Sequence, residues 1–346
     1  MDLNIRIEAF STLGEIINDF VQGKVGNFSD KMNSALARTG NVNSWFTREN
    51  ILQSLSSISD MLEREKLHTW ISEYEDDLKI EKTPGRVGVI MAGNIPVVGF
   101  HDFLCVLISG NAVIGKLASS DPFLLPVIAA ELVEIEPRFS GRIEFVQKLT
   151  VFDAVIATGS NNSARYFDYY FGKYPHIIRK NRNSVAVLTG EETDEQLGLL
   201  GKDIFDYYGL GCRNVSKLYV PENYDFNSFW NSIFPFADVM KHNKYANNYD
   251  YNRAILLLEQ IPFLTNEFLI LKEDPALATP VAVVNYEKLN EEKIKKVLSE
   301  GKEAIQCIVS SADFIENKVE FGQTQYPQLG DYADKVDTIK FLIGLK

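Results

Sequence analysis

From Pro84 onward, short apolar runs alternate with amphipathic stretches, and this alternation narrows the possible folds more than any other feature of the chain. Arg86 to Met91, Ala112 to Gly115, Ile143 to Val146, Ala154 to Ala157 and Val185 to Leu188 read as strands. Between them Pro96 to Ser109, stopped by Gly110, reads as a helix. Asp121-Pro122 is expected to start another, with Asp121 as cap and Pro122 at the first helical position. Ser160 is expected to cap a helix that runs to Tyr170, and Asp194 to Tyr208 reads as a further helix. Strands at this spacing, joined by helices, imply parallel βαβ units. Ligands of such sheets bind beyond the carboxyl ends of the strands. The segments there are Ala92 to Pro96, Lys116 to Ser119 and Thr158 to Asn162. Two of them open onto helix N-termini, whose N–H groups suit a pyrophosphate. Neither Gly-x-Gly-x-x-Gly nor the P-loop pattern occurs.

The flanks read differently. Residues 1–80 form a helical region, in which Ile7, Phe10, Leu13, Ile17 and Phe20 make one apolar stripe. Gly23 and Gly26 break it, and a second helix is expected near Thr47 with Ile51, Leu55, Ile58 and Leu62 on one face. The charged stretch Glu73 to Lys82 ends the region. Residues 81–206 then form one α/β domain, 207–320 a second, and 321–346 a turn-rich segment that returns to the first. In the second domain Tyr224 to Phe236 reads as helical, Asn247 to Gln260 follows with Ile255 to Leu258 apolar, and Asn290 to Glu300 reads as a further helix. Ser216 to Val220, Glu267 to Leu271, Val281 to Val284 and Ile305 to Ser310 read as strands. The cluster Tyr245 to Asn252 has the composition of a polar aromatic loop, with the lining of an acyl or pantetheine channel as the alternative.

Composition excludes several functions. The 346 residues are 45% hydrophobic and 24% charged, as in soluble globular proteins. A net charge of -12 argues against a nucleic-acid partner and against binding to anionic lipid. The most apolar stretch, Val87 to Leu117, is interrupted by Asn94, His101, Asp102 and glycines, so no membrane span is expected. No basic region followed by an apolar run opens the chain, so no signal peptide is expected. Three widely spaced cysteines fit a reducing cytoplasm, and no Cys or His pair has metal-ligand spacing.

Cys105 and Cys307 lie in apolar runs and are expected to be buried. Cys212 differs. It follows Gly209-Leu210-Gly211 and precedes Arg213, in the run from Tyr207 to Pro221. A thiol on a glycine-flanked loop beside a cation suits a low-pKa nucleophile, with a structural cysteine in a turn as the alternative. The histidines at 68, 101, 176 and 242 are scattered; His101 is the best placed to reach a site, but packing is its expected role. Asn183 and Ser184, just before a strand, are expected as caps.

Together these loops, in this order and spacing, resemble the aldehyde dehydrogenase superfamily, from about Pro84 to Lys346. Within it they are most similar to the acyl-CoA reductase branch, the LuxC-like fatty-acyl reductases of bacterial bioluminescence and their relatives. The resemblance implies two parallel-sheet α/β domains behind a helical N-terminal region. Asn94-Ile95-Pro96 resembles the segment whose asparagine binds the oxyanion. Gly110 to Lys116 resembles the strand whose lysine contacts the adenosine ribose. Thr158-Gly159-Ser160 resembles the turn that opens a helix at the cofactor. Gly209 to Cys212 stands where the family has its nucleophile.

By this resemblance, the expected activity is NADPH-dependent reduction of an acyl-CoA, or another acyl thioester, to the aldehyde through an acyl-cysteine. The small, neutral Ser119 stands where many NAD-using relatives have Glu; this favours NADPH, with NADH as the alternative. A homo-oligomer is also implied. There are two departures. Ile178 to Asn183, in place of Glu-Leu-Gly-Gly-Lys, has no carboxylate to activate a deacylating water, as suits a reductase. The Glu-x-Phe-Gly-Pro-Val segment is reduced to Ala278-Thr279-Pro280-Val281. The alternatives are an acyl-phosphate reductase of the γ-glutamyl phosphate type, a non-redox cysteine acyltransferase or thioesterase, and a non-enzymatic dinucleotide-binding scaffold.

Overall fold

A computed structural model describes residues 1–80 and 83–345. Glu81 and Lys82, the end of the expected charged stretch, and Lys346 lie outside the described residues. The chain forms two compact units, Met1–Lys180 with Gln328–Lys346, and Asn181–Pro327.

The first unit opens with helices α1 Leu3–Val21, α2 Asn27–Val42, α3 Arg48–Met61, α4 Arg64–Ile71 and the single turn α5 Glu75–Leu78. The stripe from Ile7 to Phe20 is buried as expected, and Thr47 caps α3 by accepting the Asn50 N–H. Helix α2, which no sequence signal separated, starts directly after Gly26. Five parallel strands follow: β1 Arg86–Ile90, β2 Ala112–Lys116, β3 Ile143–Phe145, β4 Ala154–Thr158 and β5 His176–Arg179. Their spatial order is β3-β2-β1-β4-β5. The crossover helices are α6 Phe100–Ile108, α7 Leu124–Ile135 and α8 Asn161–Phe171. Helix α6 is apolar on nearly every side and is buried accordingly. The N-terminal helices share one core with α6 and α7, including an edge-on contact of Phe10 with Phe139. Buried Arg6 of α1 donates to the carbonyls of Ile108 and Leu78, which fastens α1 to the end of α6. The C-terminal helix Thr338–Ile343 is held by Arg179, which bridges Thr338 Oγ1 at 3.1 Å and Asp102 at 2.5 Å.

The second unit contains β6 Asn183–Val187, α9 Asp194–Phe205, β7 Val215–Val220, α10 Asn227–Ile233, α11 Asn243–Leu258, β8 Phe263–Thr265, β9 Ile270–Glu273, β10 Val283–Lys288, α12 Glu291–Glu300 and β11 Ile305–Ser310. The sheet order is β11-β6-β7-β10-β9-β8, parallel except for the antiparallel β8–β9 edge. Both units are thus the parallel-sheet α/β layers expected from the sequence.

Four expectations need correction. The domain boundary near 206 falls instead at 180/181, because β6 hydrogen-bonds to β7 and β11 rather than to the first sheet. Of the C-terminal segment, only the part from Gln328 on belongs to the first unit. Tyr245 to Asn252 is not a loop but lies inside α11; buried Tyr245 and Tyr249 anchor it through the Phe268 carbonyl and Thr265 Oγ1 at 3.0 and 2.9 Å. Helix α7 starts at Leu124, so Asp121 is not its N-cap. No helix among the described residues is long and apolar enough to cross a membrane.

Candidate active site

At the carboxyl edge of the first sheet, neighbouring strands deliver three of the expected segments side by side. Ile90 of β1 pairs with Lys116 of β2 and Ala157 of β4. The loops bearing Asn94, Lys116 to Ser119 and Thr158 to Ser160 therefore leave the sheet together. Asn94, Ser119 and Ser160 are exposed, while Lys116, Thr158 and Gly159 are half-buried. Ser160 caps α8 as expected, its Oγ accepting the Ser163 N–H at 3.1 Å. A Cβ at Gly159 would lie 2.9 Å from both Ser163 and the Phe167 ring, so only glycine lets this turn close on the helix. The dipole and N–H groups at the start of α8 favour an anionic group here.

Residues 94–99 are bends and turns, and the helix expected from Pro96 starts only at Phe100. Ser120 Oγ donates to the Gly93 carbonyl at 2.8 Å, and a Cβ at Gly93 would overlap Ser120 and Ala118. Ser54 Oγ of α3 donates to the Pro96 carbonyl at 2.8 Å. The Asp121 carboxylate accepts the Val97 N–H at 2.8 Å. Val97 has a φ of 54°, a conformation rare for a β-branched residue. Burial pushes the Asp121 carboxyl up to about 6, against the opposing pull of the Val97 and Leu124 N–H groups.

In the second unit, Cys212 lies on the loop between α9 and β7. Tyr207, Tyr208 and Gly209 take φ values of 52°, 59° and 74°, three successive left-handed residues that turn the chain towards the thiol. Asn214 Oδ1 accepts the Gly211 N–H at 2.8 Å, and its amide donates to the carbonyls of Asp203 and Asp206 at 3.1 and 2.9 Å. Ser184 of β6, expected as a cap, instead donates to the Cys212 carbonyl at 3.1 Å. Arg213 donates through Nε to the Thr324 carbonyl. The buried Asp203 carboxylate gathers the N–H groups of Gly322 and Thr324 and the Thr324 hydroxyl. The result is an exposed cysteine on an anchored loop.

Cys105 and Cys307 are buried as expected, and burial pushes the Cys105 thiol well up. His101 is a packing residue: it lies against Trp70 and Tyr332, and its Nε2 is 3.0 Å from the Leu329 carbonyl. A narrow crevice beside the start of the cysteine loop is lined by Phe205, Tyr208, Gly209, Tyr245, Thr279 and Val281. Among the described residues, no group of three or more His, Cys, Asp or Glu is arranged to hold a metal.

Sequence reasoning missed Ser184, Asp203 and Asn214 as supports of the loop, and Ser54 and Ser120 as supports of the Asn94 turn. Only Asn214 carried a local signal, an Asx side chain three residues after the glycine whose N–H it accepts.

The sequence profile of the acyl-CoA reductase (LuxC) family matches residues 21–223, which hold the three loops of the first sheet and the cysteine. The chain belongs to that family. Long-chain acyl-protein thioester reductase 2 of Photobacterium leiognathi is 21% identical over 234 residues. The match covers 61% of this chain and 48% of the relative, so the chain spans about half that protein's length.

Solved structures agree on the fold of this LuxC-family chain. A Burkholderia cenocepacia protein assigned as an aldehyde dehydrogenase superposes with a TM-score of 0.65 at 12% identity, covering 90% of this chain and 74% of that one. Aldehyde dehydrogenase 21 from Physcomitrella patens, solved with succinate, gives 0.61 at 13% identity, covering 98% and 87%. The Δ-pyrroline-5-carboxylate dehydrogenase of Mycobacterium tuberculosis gives 0.59 at 14% identity, covering 90% and 67%. The fold is that of the aldehyde dehydrogenases.

Proposed function

We propose that this chain reduces an acyl thioester, acyl-CoA first among them, to the aldehyde with NADPH through an acyl group held on Cys212. One observation carries the reading: Cys212 is exposed on a loop pinned by Ser184, Asn214 and Arg213, whereas the other two cysteines are buried.

In the proposed reaction, the Cys212 thiolate attacks the thioester carbonyl carbon. The oxygen becomes an oxyanion that accepts from the Asn94 amide and the Cys212 N–H. One such donor is typically worth about 3 kcal/mol of barrier. Collapse breaks the bond to the coenzyme sulfur, which leaves as a thiolate. A bound reduced nicotinamide nucleotide would supply a hydride to the acyl carbon. The same donors then stabilise the second oxyanion, and its collapse releases the aldehyde and restores the Cys212 thiolate. In total, a thioester, a reduced nucleotide and a proton give an aldehyde, a thiol and the oxidised nucleotide.

The residues present fit such a nucleotide. Lys116 would contact its ribose, Thr158 to Ser160 with the start of α8 its phosphates, and the uncharged Ser119 leaves room for a 2′-phosphate; NADH is the weaker alternative. The name of the Photobacterium relative supports a thioester as the acyl donor. The reading includes a cytoplasmic homo-oligomer, its assembly checked by light scattering.

The test follows NADPH absorbance with acyl-CoAs of graded chain length. Equal amounts of NADPH oxidised and CoA released, lost in Cys212→Ala, support the proposal. CoA release without NADPH oxidation would make the chain a thioesterase or acyltransferase, and turnover of acyl phosphates alone would make it an acyl-phosphate reductase.

A further inference from the structure

Two consecutive residues of the loop after β2 straddle Asn94. Ser120 holds the Gly93 carbonyl on one side, and Asp121 holds the Val97 N–H on the other, each at 2.8 Å. This loop begins at Lys116 and carries Ser119, the residues assigned to the nucleotide. Its path is fixed by the Asp121 N–H, which donates to the Ala118 carbonyl at 3.1 Å, and by the Met91 N–H, which donates to the Lys116 carbonyl at 3.1 Å. Val97 sits in a left-handed conformation that a valine does not adopt unaided, so its surroundings impose it. The carboxylate is the group that meets the Val97 N–H, and Ser54 closes the turn from the α3 side by holding the Pro96 carbonyl. Asp121 is buried, and its Oδ1 has no hydrogen-bond partner. The carboxylate faces the Leu124 N–H as well as that of Val97, so it joins the turn beside Asn94 to the start of α7.

We infer that Ser120 and Asp121 are positioning residues that set the Asn94 amide for the oxyanion and link its placement to the nucleotide loop. The inference rests on the proposed role of Asn94. In the wild type, the turn from Gly93 to Val97 and the loop from Lys116 to Asp121 form one hydrogen-bonded unit. A nucleotide seated on Lys116 and Ser119 therefore bears on the segment that carries the amide. A displacement of about 1 Å at such a donor is enough to cost on the order of a hundredfold in rate.

The experiment measures single-turnover CoA release from acyl-CoA, together with the KM for NADPH and thermal melting. The variants are Asn94→Ala, Asp121→Asn, Asp121→Ala and Ser120→Ala, with the double variant Asn94→Ala/Asp121→Ala. Asn94→Ala tests the underlying reading, and no loss of rate there would remove it. If that loss is present, Asp121→Ala is expected to slow acylation roughly a hundredfold. Asp121→Asn, which keeps one acceptor oxygen for Val97, should recover most of that rate. The double variant should be little slower than Asn94→Ala, because both changes act on the same donor. Should Asp121→Ala fail to fold, Ser120→Ala and Asp121→Asn carry the comparison. Full additivity in the double variant, or slowed acylation only in proportion to lost folded protein, would overturn the inference.

Discussion

The Ser184 hydroxyl donates to the Cys212 carbonyl and accepts the Cys307 N–H, both at 3.1 Å. One buried side chain on β6 thus ties the Cys212 loop to the neighbouring strand β11. Ser184→Ala removes an acceptor from Cys307 and a donor from Cys212. The expected loss is about 1–3 kcal/mol of folding stability, read by urea denaturation. Acylation should slow by roughly tenfold or more as the loop loosens. Unchanged acylation in a folded variant would mean that the loop is held by its other ties alone.

Asp121 gives a pH dependence with a definite sign. Its carboxyl is pushed from 3.8 up to about 6 by burial. For an acid raised in the folded state, the favourable contribution is whole below about pH 4 and is lost as the pH rises through about 6. The stability of Asp121→Asn relative to wild type should therefore rise between those values, by at most about 3 kcal/mol. Urea denaturation of both proteins across this range reads the difference. A flat difference would place the titration elsewhere.

Ser119 tests the nucleotide assignment. A carboxylate at this exposed position would repel a 2′-phosphate. Ser119→Glu should lower the ratio of kcat/KM for NADPH over NADH by about ten- to a hundredfold, mainly through the KM for NADPH. An unaltered ratio would separate Ser119 from the 2′-position of the ribose.

The elements with strong local signals were legible in the sequence. The β1, β2, β4, β7 and β11 strands are apolar and punctuated by Gly, Pro or Asp, and Ser160 and Asn290 cap the helices that come after β4 and β10. Where local and tertiary forces disagreed, the tertiary ones prevailed. The Asn- and Tyr-rich start of α11 favours a loop by composition, yet burial of Tyr245 and Tyr249 holds it helical. The strand β5 has only Ile177 and Ile178 between a histidine and an arginine, too short a run to stand out. β6 lies in the second unit through a pairing across the chain, which no local pattern records. The same holds at the site. Asn94, Lys116, Thr158 and Cys212 sit in recognisable segments, but their supports come from far along the chain: Ser184 lies 28 residues before Cys212, and Ser54 lies 42 before Pro96. Asp121 looked like a cap because Asp-Pro commonly is one; α7 begins only at Leu124, and the carboxylate is shared between the N–H groups of Leu124 and of Val97 in the turn beside Asn94.

The most direct measurement is intact-protein and peptide mass spectrometry after mixing the enzyme with acyl-CoA in the absence of NADPH. A single acyl adduct on the peptide bearing Cys212, discharged on adding NADPH and missing in Cys212→Ala, is the expected result. An acyl group on another side chain, or NADPH oxidation that continues undiminished in Cys212→Ala, would contradict it.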